Sequence, residues 1–514
     1  MIANLLKRLQ EAYPIKRKDL WKLVPMFVML FCICLNYSIL RNLKDAVVVT
    51  AQGSGAEAIP FIKVYFMLPM AFLLTVLFTK LSNRYSQEKV FYIMVSLFLC
   101  FYALFAFILY PLRDTLHPHE TADWFQGILP LGCKGLVATF RNWTFTSFYV
   151  MCELWGSVVL SVLFWSFANE ITKVSEAGYF YGALGVGANL ATLIAGQIGA
   201  TFSIRSFNPA LPFGNDAWEQ AIMVMILLMI VSGTVIMGTF YWMNRYVLDD
   251  PAFDGLHRAG NQVKKKKKLS VRESFRYLSK SKYLLCIAVL VLSYNLVINL
   301  VEIVWKDQLR LLYPNPADFN VYINNLTSLV GTISTVAAVM MPWTIKKCGW
   351  TVTALMTPVT MLVTTIGFFV FFLGKDHLGE LVIISTGMTP LALAVFFGSA
   401  QNCLSKAAKY SVFDTTKDMA FIPLDHDSKL KGKAAIDGFG SRLGKSGGSI
   451  IHQALLIIFS TLSASAPFVA MFIIGSIVMW IGATKSLGKQ FAELTAPPEP
   501  VAEDPVAEPE PALS

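Results

Sequence analysis

The chain has 514 residues, 55% of them hydrophobic and only 15% charged, with a formal net charge of +10. Soluble domains carry about 25% charged residues, and here the apolar residues are gathered into long runs, which excludes an ordinary soluble domain and points to an all-α membrane protein. The basic excess has two possible uses: lysines and arginines in cytoplasmic loops that orient the chain, and basic groups within the spans that hold an anion.

The first 21 residues are basic and amphipathic through Lys16-Arg-Lys-Asp19. They lack the apolar core and small-residue cleavage site of a secretory signal, so they are expected to form a cytoplasmic N-terminal segment. Twelve spans are then expected, near 22–40, 58–80, 89–111, 142–167, 177–203, 219–244, 283–304, 322–344, 349–373, 379–402, 434–460 and 463–484. Each is long enough to cross the ~30 Å hydrocarbon layer of a bilayer.

The loops after the second, sixth, eighth and tenth spans are basic: Lys80/Arg84/Lys89, the 245–282 segment, Lys346/Lys347, and Lys406 to Lys433. The opposite loops are sparse or mixed in charge, so both termini are expected in the cytoplasm. The 245–282 linker carries Lys264-Lys-Lys-Lys-Lys268 and separates six spans from six. It reads as a solvated segment near anionic lipid rather than a nucleic-acid site. The 485–514 tail is rich in Pro, Glu and Ala and is expected to be disordered. Eight cysteines show no zinc or disulfide-framework spacing.

The halves 22–244 and 283–484 echo each other. Asn42-Leu-Lys44-Asp45 closes the first span and Val304-Trp-Lys306-Asp307 the seventh; Val162-Leu-Phe-Trp-Ser-Phe-Ala-Asn169 is matched by Val395-Phe-Phe-Gly-Ser-Ala-Gln-Asn402. A duplicated 6+6 bundle is the major-facilitator layout, in which substrate binds near the midplane between the halves.

Four ionisable side chains sit within or at the edge of these apolar runs: Lys63, Glu153, Glu302 and Lys445. A charge at the centre of a spanning helix costs about 2.5–3.5 kcal/mol on insertion scales, so each needs a polar cavity, a partner or a substrate. The bland alternatives are snorkelling for Lys63, a neutral hydrogen-bonded carboxyl for Glu153 and a solvent-facing helix end for Glu302. Asn295, Asn299 and Glu302 recur at helical spacing and form one polar stripe, with Lys306 and Arg310 roughly continuing it. Arg41 and Lys44 bring similar polarity to the end of the first span. A cavity gathering Lys63 and Lys445 with Arg41, Arg442 or Lys306 would suit a multiply charged anion, since Arg grips phosphate bidentately and Lys acts as a point charge.

The segment Gly438-Phe-Gly-Ser-Arg-Leu-Gly-Lys-Ser446 resembles a phosphate-binding P-loop, but the first glycine that pattern needs falls at Phe439, and the segment enters an apolar helical run instead of joining a strand to a helix. Its glycines, like those of Tyr181-Gly-Ala-Leu-Gly-Val-Gly187, are expected to permit close helix packing. No metalloprotease, triad, kinase or redox motif is present.

Several stretches resemble the non-mitochondrial ATP/ADP translocases of plastids and intracellular bacteria such as the chlamydiae. They include Phe31-Cys-Ile-Cys-Leu-Asn-Tyr-Ser-Ile-Leu-Arg-Asn-Leu-Lys-Asp45, Ile59-Pro-Phe-Ile-Lys63, Met151-Cys-Glu-Leu-Trp-Gly-Ser-Val-Val159, Leu300-Val-Glu-Ile-Val-Trp-Lys306, Lys431-Gly-Lys-Ala-Ala-Ile-Asp437 and Leu443-Gly-Lys-Ser-Gly-Gly448. The resemblance covers about residues 20 to 490. It implies exchange of external ATP for internal ADP, usually with phosphate, across a bacterial inner membrane, with no cofactor, metal or obligate protein partner. It also implies functional roles for a lysine, two glutamates and a lysine that fall on Lys63, Glu153, Glu302 and Lys445. Arg41, Lys44, Asn299, Lys306 and Arg442 form a second tier for substrate contact or gating. Sister proteins import nucleoside triphosphates with protons, and the motifs leave that alternative open, with a membrane enzyme or anion channel behind it.

Overall fold

The computed structural model describes residues 17–172, 174–204, 206–248, 281–424, 432–433, 436 and 440–495. Their regular structure is helical, with no strand among them. The principal helices are α1 (Arg17–Val49), α2 (Ala58–Arg84), α3 (Gln87–Leu109), α4 (Trp143–Ile171), α5 (Val174–Thr201), α6 (Ala217–Val247), α7 (Lys282–Leu312), α8 (Pro316–Leu373), α9 (Lys375–Thr386), α10 (Pro390–Ala408), α11 (Ser441–Phe459) and α12 (Leu462–Thr495). Nine helices among the described residues are long and apolar enough to cross a membrane, and a shorter apolar one spans Leu443–Phe459.

Local chemistry sets the helix starts. Ser86, Asp216, Ser281 and Thr389 each accept a hydrogen bond from a backbone N–H in the first turn that follows, satisfying donors a helix otherwise leaves orphaned. Asn315 does the same for α8 ahead of Pro316. The 58 residues of α8 bend at Gly349, whose φ of 75° and ψ of 170° are not helical. Glycine alone takes that conformation without Cβ strain, and the bend divides α8 into two arms, each long enough to span.

In the N-terminal half α1 packs against α4, α5 and α6; in the C-terminal half α7 packs against α10, α11 and α12. The halves meet along two seams. On one, α5 lies against α8, where Gln197 Nε2 donates to Ser328 Oγ at 2.9 Å and Asn320 Nδ2 to Ser203 Oγ at 2.7 Å. On the other, α11 lies against α2, where Gln453 Nε2 donates to the Pro60 carbonyl at 2.8 Å. Between the seams α1 and α7 face each other.

Close helix approach is real on α11. A Cβ on Gly444 would fall 2.7 Å from Asn295 Cβ and 2.9 Å from the Leu292 carbonyl of α7, whereas one on Gly447 would meet nothing within 4 Å. Gly444→Val is therefore expected to cost about 1–3 kcal/mol through overpacking, read as a lower unfolding midpoint in detergent. Gly447→Val serves as the neutral control, and equal effects at both positions would refute the packing role.

Several expectations are corrected. The first and seventh spans, placed at 22–40 and 283–304, run on as helix to Val49 and Leu312; the charges that ended the apolar windows lie inside the helices. The tenth span, expected unbroken over 379–402, is interrupted at left-handed Gly387 and restarts at Pro390. Helix then continues through Ala408, a wide turn and Asp414–Ala420, so Lys406 is not in a loop. The last helix extends to Thr495, into the stretch expected to be disordered. Residues 1–16, the linker from 249 to 280 with its lysine run, and 496–514 lie outside the described residues. Of the P-loop-like segment, Gly438 and Phe439 lie outside them as well, and the part from Ser441 is helical.

Candidate functional site

The site is built where α1 and α7 face each other. On α1, Tyr37, Arg41 and Asp45 recur every four residues and line one cavity. Asp45 is the centre of the charge arrangement. Its Oδ1 lies 2.9 Å from Lys44 Nζ and its Oδ2 lies 2.7 Å from Lys306 Nζ. Lys44 also reaches Glu153 Oε1 at 3.0 Å and sits 3.8 Å above the centroid of the Tyr149 ring. Lys306 reaches Glu302 Oε1 at 3.3 Å, and the same oxygen takes Lys406 Nζ at 3.2 Å and Arg41 at 3.7 Å.

The result is one continuous chain of ion pairs, Glu153–Lys44–Asp45–Lys306–Glu302, ending on Lys406 and Arg41. It joins α4, α1, α7 and α10. Two links, Asp45–Lys306 and Arg41–Glu302, pass from the N-terminal half to the C-terminal half. The side chains of Lys44, Asp45 and Lys306 are 3%, 4% and 4% exposed, so none of these charges can turn to water for its counter-ion. A buried charge left without its partner typically costs about 3–5 kcal/mol, which makes the chain interdependent.

Lys63 and Lys445 stand apart from that chain. Lys63 lies in a stretch of α2, Ile62–Met67, wound as a π-helix, a local widening that often marks functional positions. Its Nζ donates to Asn299 Oδ1 at 3.2 Å, while Asn299 Nδ2 donates to the main-chain carbonyl of Lys445 at 2.6 Å. Asn299 thus ties α2, α7 and α11 together. Neither lysine forms an ion pair among the described residues, and the Lys445 side chain is exposed. Arg442 belongs to the first turn of α11, but its side chain lies outside the described residues.

Between the halves lies a cavity of about 170 Å³. Its lining includes the charged Arg41, Asp45, Glu302, Lys306 and Lys406 and the apolar Leu160, Ile323, Leu326 and Val330. Of the four embedded charges expected to form the site, only Glu302 lines this cavity; Lys63, Glu153 and Lys445 sit around it. The glutamates pair with Lys44, Lys306, Lys406 and Arg41, not with Lys63 or Lys445. Two members of the cluster are not evident from sequence. Asp45 lies in a repeated motif without standing out in it, and Lys406 reads as a loop charge. The signal for Asp45 is the Lys-Asp dipeptide that recurs in the two halves; for Lys406 it is its position one helical turn after Asn402. No group of three or more His, Cys, Asp or Glu side chains suited to a metal ion occurs among the described residues.

The arrangement can hold a polyanion reversibly. Arg41, Lys44, Lys63, Lys306, Lys406 and Lys445 outnumber Asp45, Glu153 and Glu302, and a phosphate chain could replace carboxylates on cations already held in place.

Comparison with known proteins agrees with this chemistry. The TLC ATP/ADP transporter family matches residues 3–491. ADP,ATP carrier protein 1 of Chlamydia muridarum is 46% identical over 489 residues, covering 95% of this chain and 92% of that protein. The chloroplastic ADP,ATP carrier protein 2 of Arabidopsis thaliana is 41% identical, covering 95% of this chain and 78% of its own length. In fold alone, the chain is similar to a D-xylose–proton symporter, with a TM-score of 0.52 at 11% identity over 92% of this chain and 97% of that one. A nucleoside transporter gives 0.51 at 11%, over 92% and 100%. These are major-facilitator-type transporters, so the expected all-helical, major-facilitator-like fold class holds. The chain is a multi-pass membrane carrier, not an enzyme, and it belongs to the TLC ATP/ADP transporter family.

Proposed function

We propose that the chain exchanges external ATP for internal ADP, with phosphate, by alternating access around the cavity between its halves. The observation that carries this reading is the surplus of cations distributed over both halves and linked across them. A nucleotide's phosphates would displace Asp45 and Glu302 from Arg41, Lys306 and Lys406, while Lys63 and Lys445, which have no carboxylate partner among the described residues, supply charge that only the ligand neutralises. Glu153 and Glu302 hold the neighbouring lysines in place and take them back when the ligand leaves. The names of the chlamydial and plastid relatives support ATP and ADP as the pair exchanged.

The same reading places the protein in a bacterial inner membrane, with twelve crossings, halves at 22–244 and 283–484, and both termini in the cytoplasm. The two arms of α8 count as two crossings, the α9–α10 region as one and α11 as one. The basic loops support this orientation.

In proteoliposomes loaded with ADP, labelled external ATP is expected to accumulate, and without internal nucleotide uptake should fall to background. Uptake indifferent to internal ADP but driven by a pH gradient would instead identify a proton-coupled nucleoside triphosphate importer. Lys63→Ala and Lys445→Ala are each expected to raise the KM for ATP at least about tenfold, a loss of about 1.4 kcal/mol of binding. Unchanged KM in both variants would remove their phosphate role.

A further inference from the structure

The spans α3 and α4 are joined by a folded hairpin, and that hairpin leaves an apolar face uncovered. It consists of the helix His119–Ile128, a short turn at Leu131–Cys133 and the helix Lys134–Arg141. The helix His119–Ile128 has two opposed sides. On one, Ala122 is fully buried and Gln126, a turn later, is half-buried, so this side rests on the protein. On the other, Trp124 and Ile128 lie one turn apart and each is 62% exposed; Leu131, just beyond, is 68% exposed. Large apolar side chains are ordinarily bare on the lipid-facing side of a span. Clustered outside the spans, they mark a surface made to be covered.

Three contacts fix the level of the hairpin against the spans. Trp143 Nε1, at the start of α4, donates to the Leu116 carbonyl at 2.9 Å. The Phe125 ring meets Phe140, which lies just before α4, edge to face with centroids 5.8 Å apart. A Cβ on Gly132 would fall 2.6 Å from Ile457 Cα, near the end of α11. The hairpin therefore lies on the ends of spans from both halves, where hydrocarbon gives way to water. Exposed rings join its bare face to the surface of the spans: Trp124 lies 5.0 Å from Phe125, which meets Phe140. On the α11 side, Ile457 and Ile458 are exposed next to the Gly132 contact.

We propose that the helix His119–Ile128 is an interfacial membrane helix, with Trp124, Ile128 and Leu131 set into the surface of the bilayer at that end of the molecule. The partner is the lipid itself. Tryptophan favours that depth because its ring is amphipathic. Glu120, one turn before Trp124 on the same side, is exposed, so the face sinks at its C-terminal part and its first turn stays in water. Asp123 turns aside to pair with Arg141, which fastens the two helices of the hairpin to each other. The helix holds two acidic residues and no lysine or arginine. Apolar burial therefore supplies the anchoring, and anionic lipid is not required. The proposal rests on the chain's crossing the membrane and not on which solute it carries.

The test places the full chain in phosphatidylcholine vesicles and reads Trp124 as the difference in emission between the wild type and Trp124→Phe. Lipids brominated high in the acyl chain should quench that difference at least about twofold more than lipids brominated near the terminal methyl, because an interfacial helix sits about 5–10 Å deep. Iodide present on both sides of the membrane should quench it little. Ile128→Asp puts a charge into the face, so quenching of Trp124 by the shallow bromines should fall at least about twofold. Should Trp124→Phe fail to fold, Trp124→Tyr gives the same difference. Quenching by iodide and not by bromine places the face in water. Quenching by neither places it under protein, such as a second copy of this chain. Either result overturns the proposal, as does an Ile128→Asp variant quenched by bromine as strongly as the wild type.

Discussion

Glu302→Gln is expected to abolish exchange and to lower the unfolding midpoint sharply. One oxygen of Glu302 is shared by Lys406 at 3.2 Å, Lys306 at 3.3 Å and Arg41 at 3.7 Å. Lys306 keeps Asp45 after the substitution, but Arg41 and Lys406 lose the only carboxylate within ion-pairing distance among the described residues. With the glutamate side chain 14% exposed and that of Lys406 15% exposed, little water compensates. Removing one partner of a buried ion pair costs about 3–5 kcal/mol. A second consequence separates this explanation from general misfolding: added ATP or pyrophosphate should raise the variant's midpoint by more than the wild type's, because phosphate supplies the missing negative charge to the folded state alone. Glu302→Asp should retain part of the stability. A midpoint equal to that of the wild type, with or without ligand, would show that Glu302 is not the common counter-ion.

Asp45→Asn carries an effect of similar size by a different route. Asp45 separates two ammonium groups, Lys44 at 2.9 Å and Lys306 at 2.7 Å. Its neutral amide would leave Lys44 only Glu153 at 3.0 Å and Lys306 only the already shared Glu302 at 3.3 Å, with one more uncompensated positive charge in a water-poor interior, at a cost again of about 3–5 kcal/mol. Lys306→Met made alone leaves Asp45 to Lys44. The double variant removes a charge of each sign, so it should be less destabilised than the sum of the single variants, with a coupling of about 0.5–3 kcal/mol. Additive losses in that cycle would mean that Asp45 and Lys306 do not act as a pair. The experiment needs unfolding midpoints in detergent, and exchange rates follow for any variant that folds.

Much of this site is legible in the sequence because charge in an apolar run is conspicuous. Lys63, Glu153 and Glu302 stand out for that reason, and the Asn299–Glu302 stripe follows from helical spacing. Hydropathy fails at the margins. A window ends where charges begin, so Arg41, Lys44 and Asp45 look like the end of a helix that in fact continues to Val49. Lys406 meets the same fate with a further disguise, since a lysine after an apolar run fits the rule that cytoplasmic loops are basic. The break before α10 is written as Gly387-Met-Thr-Pro390, a helix stop followed by a cap and a first-turn proline; the apolar residues on either side hide it. What no local window contains is pairing between residues such as Asp45 and Lys306, far apart in sequence and on different helices. The chain of counter-ions exists only once the halves are folded against each other, whereas the membrane architecture is written in runs of adjacent residues.

The cross-half ion pairs bear on how quickly a carrier can let go. A pocket of bare lysines would hold a nucleotide tightly and release it slowly, since residence time lengthens tenfold for each ~1.4 kcal/mol of added affinity at a fixed on-rate. On the exchange mechanism proposed above, every phosphate oxygen arriving at Arg41, Lys306 or Lys406 would evict a carboxylate, and every one departing would be replaced by a carboxylate already within reach. Net affinity is then a difference between two similar interactions, which keeps the off-rate high while the cations still select for polyanions. On that mechanism the internal carboxylates would serve as tethered competitors, and turnover speed is what they would set.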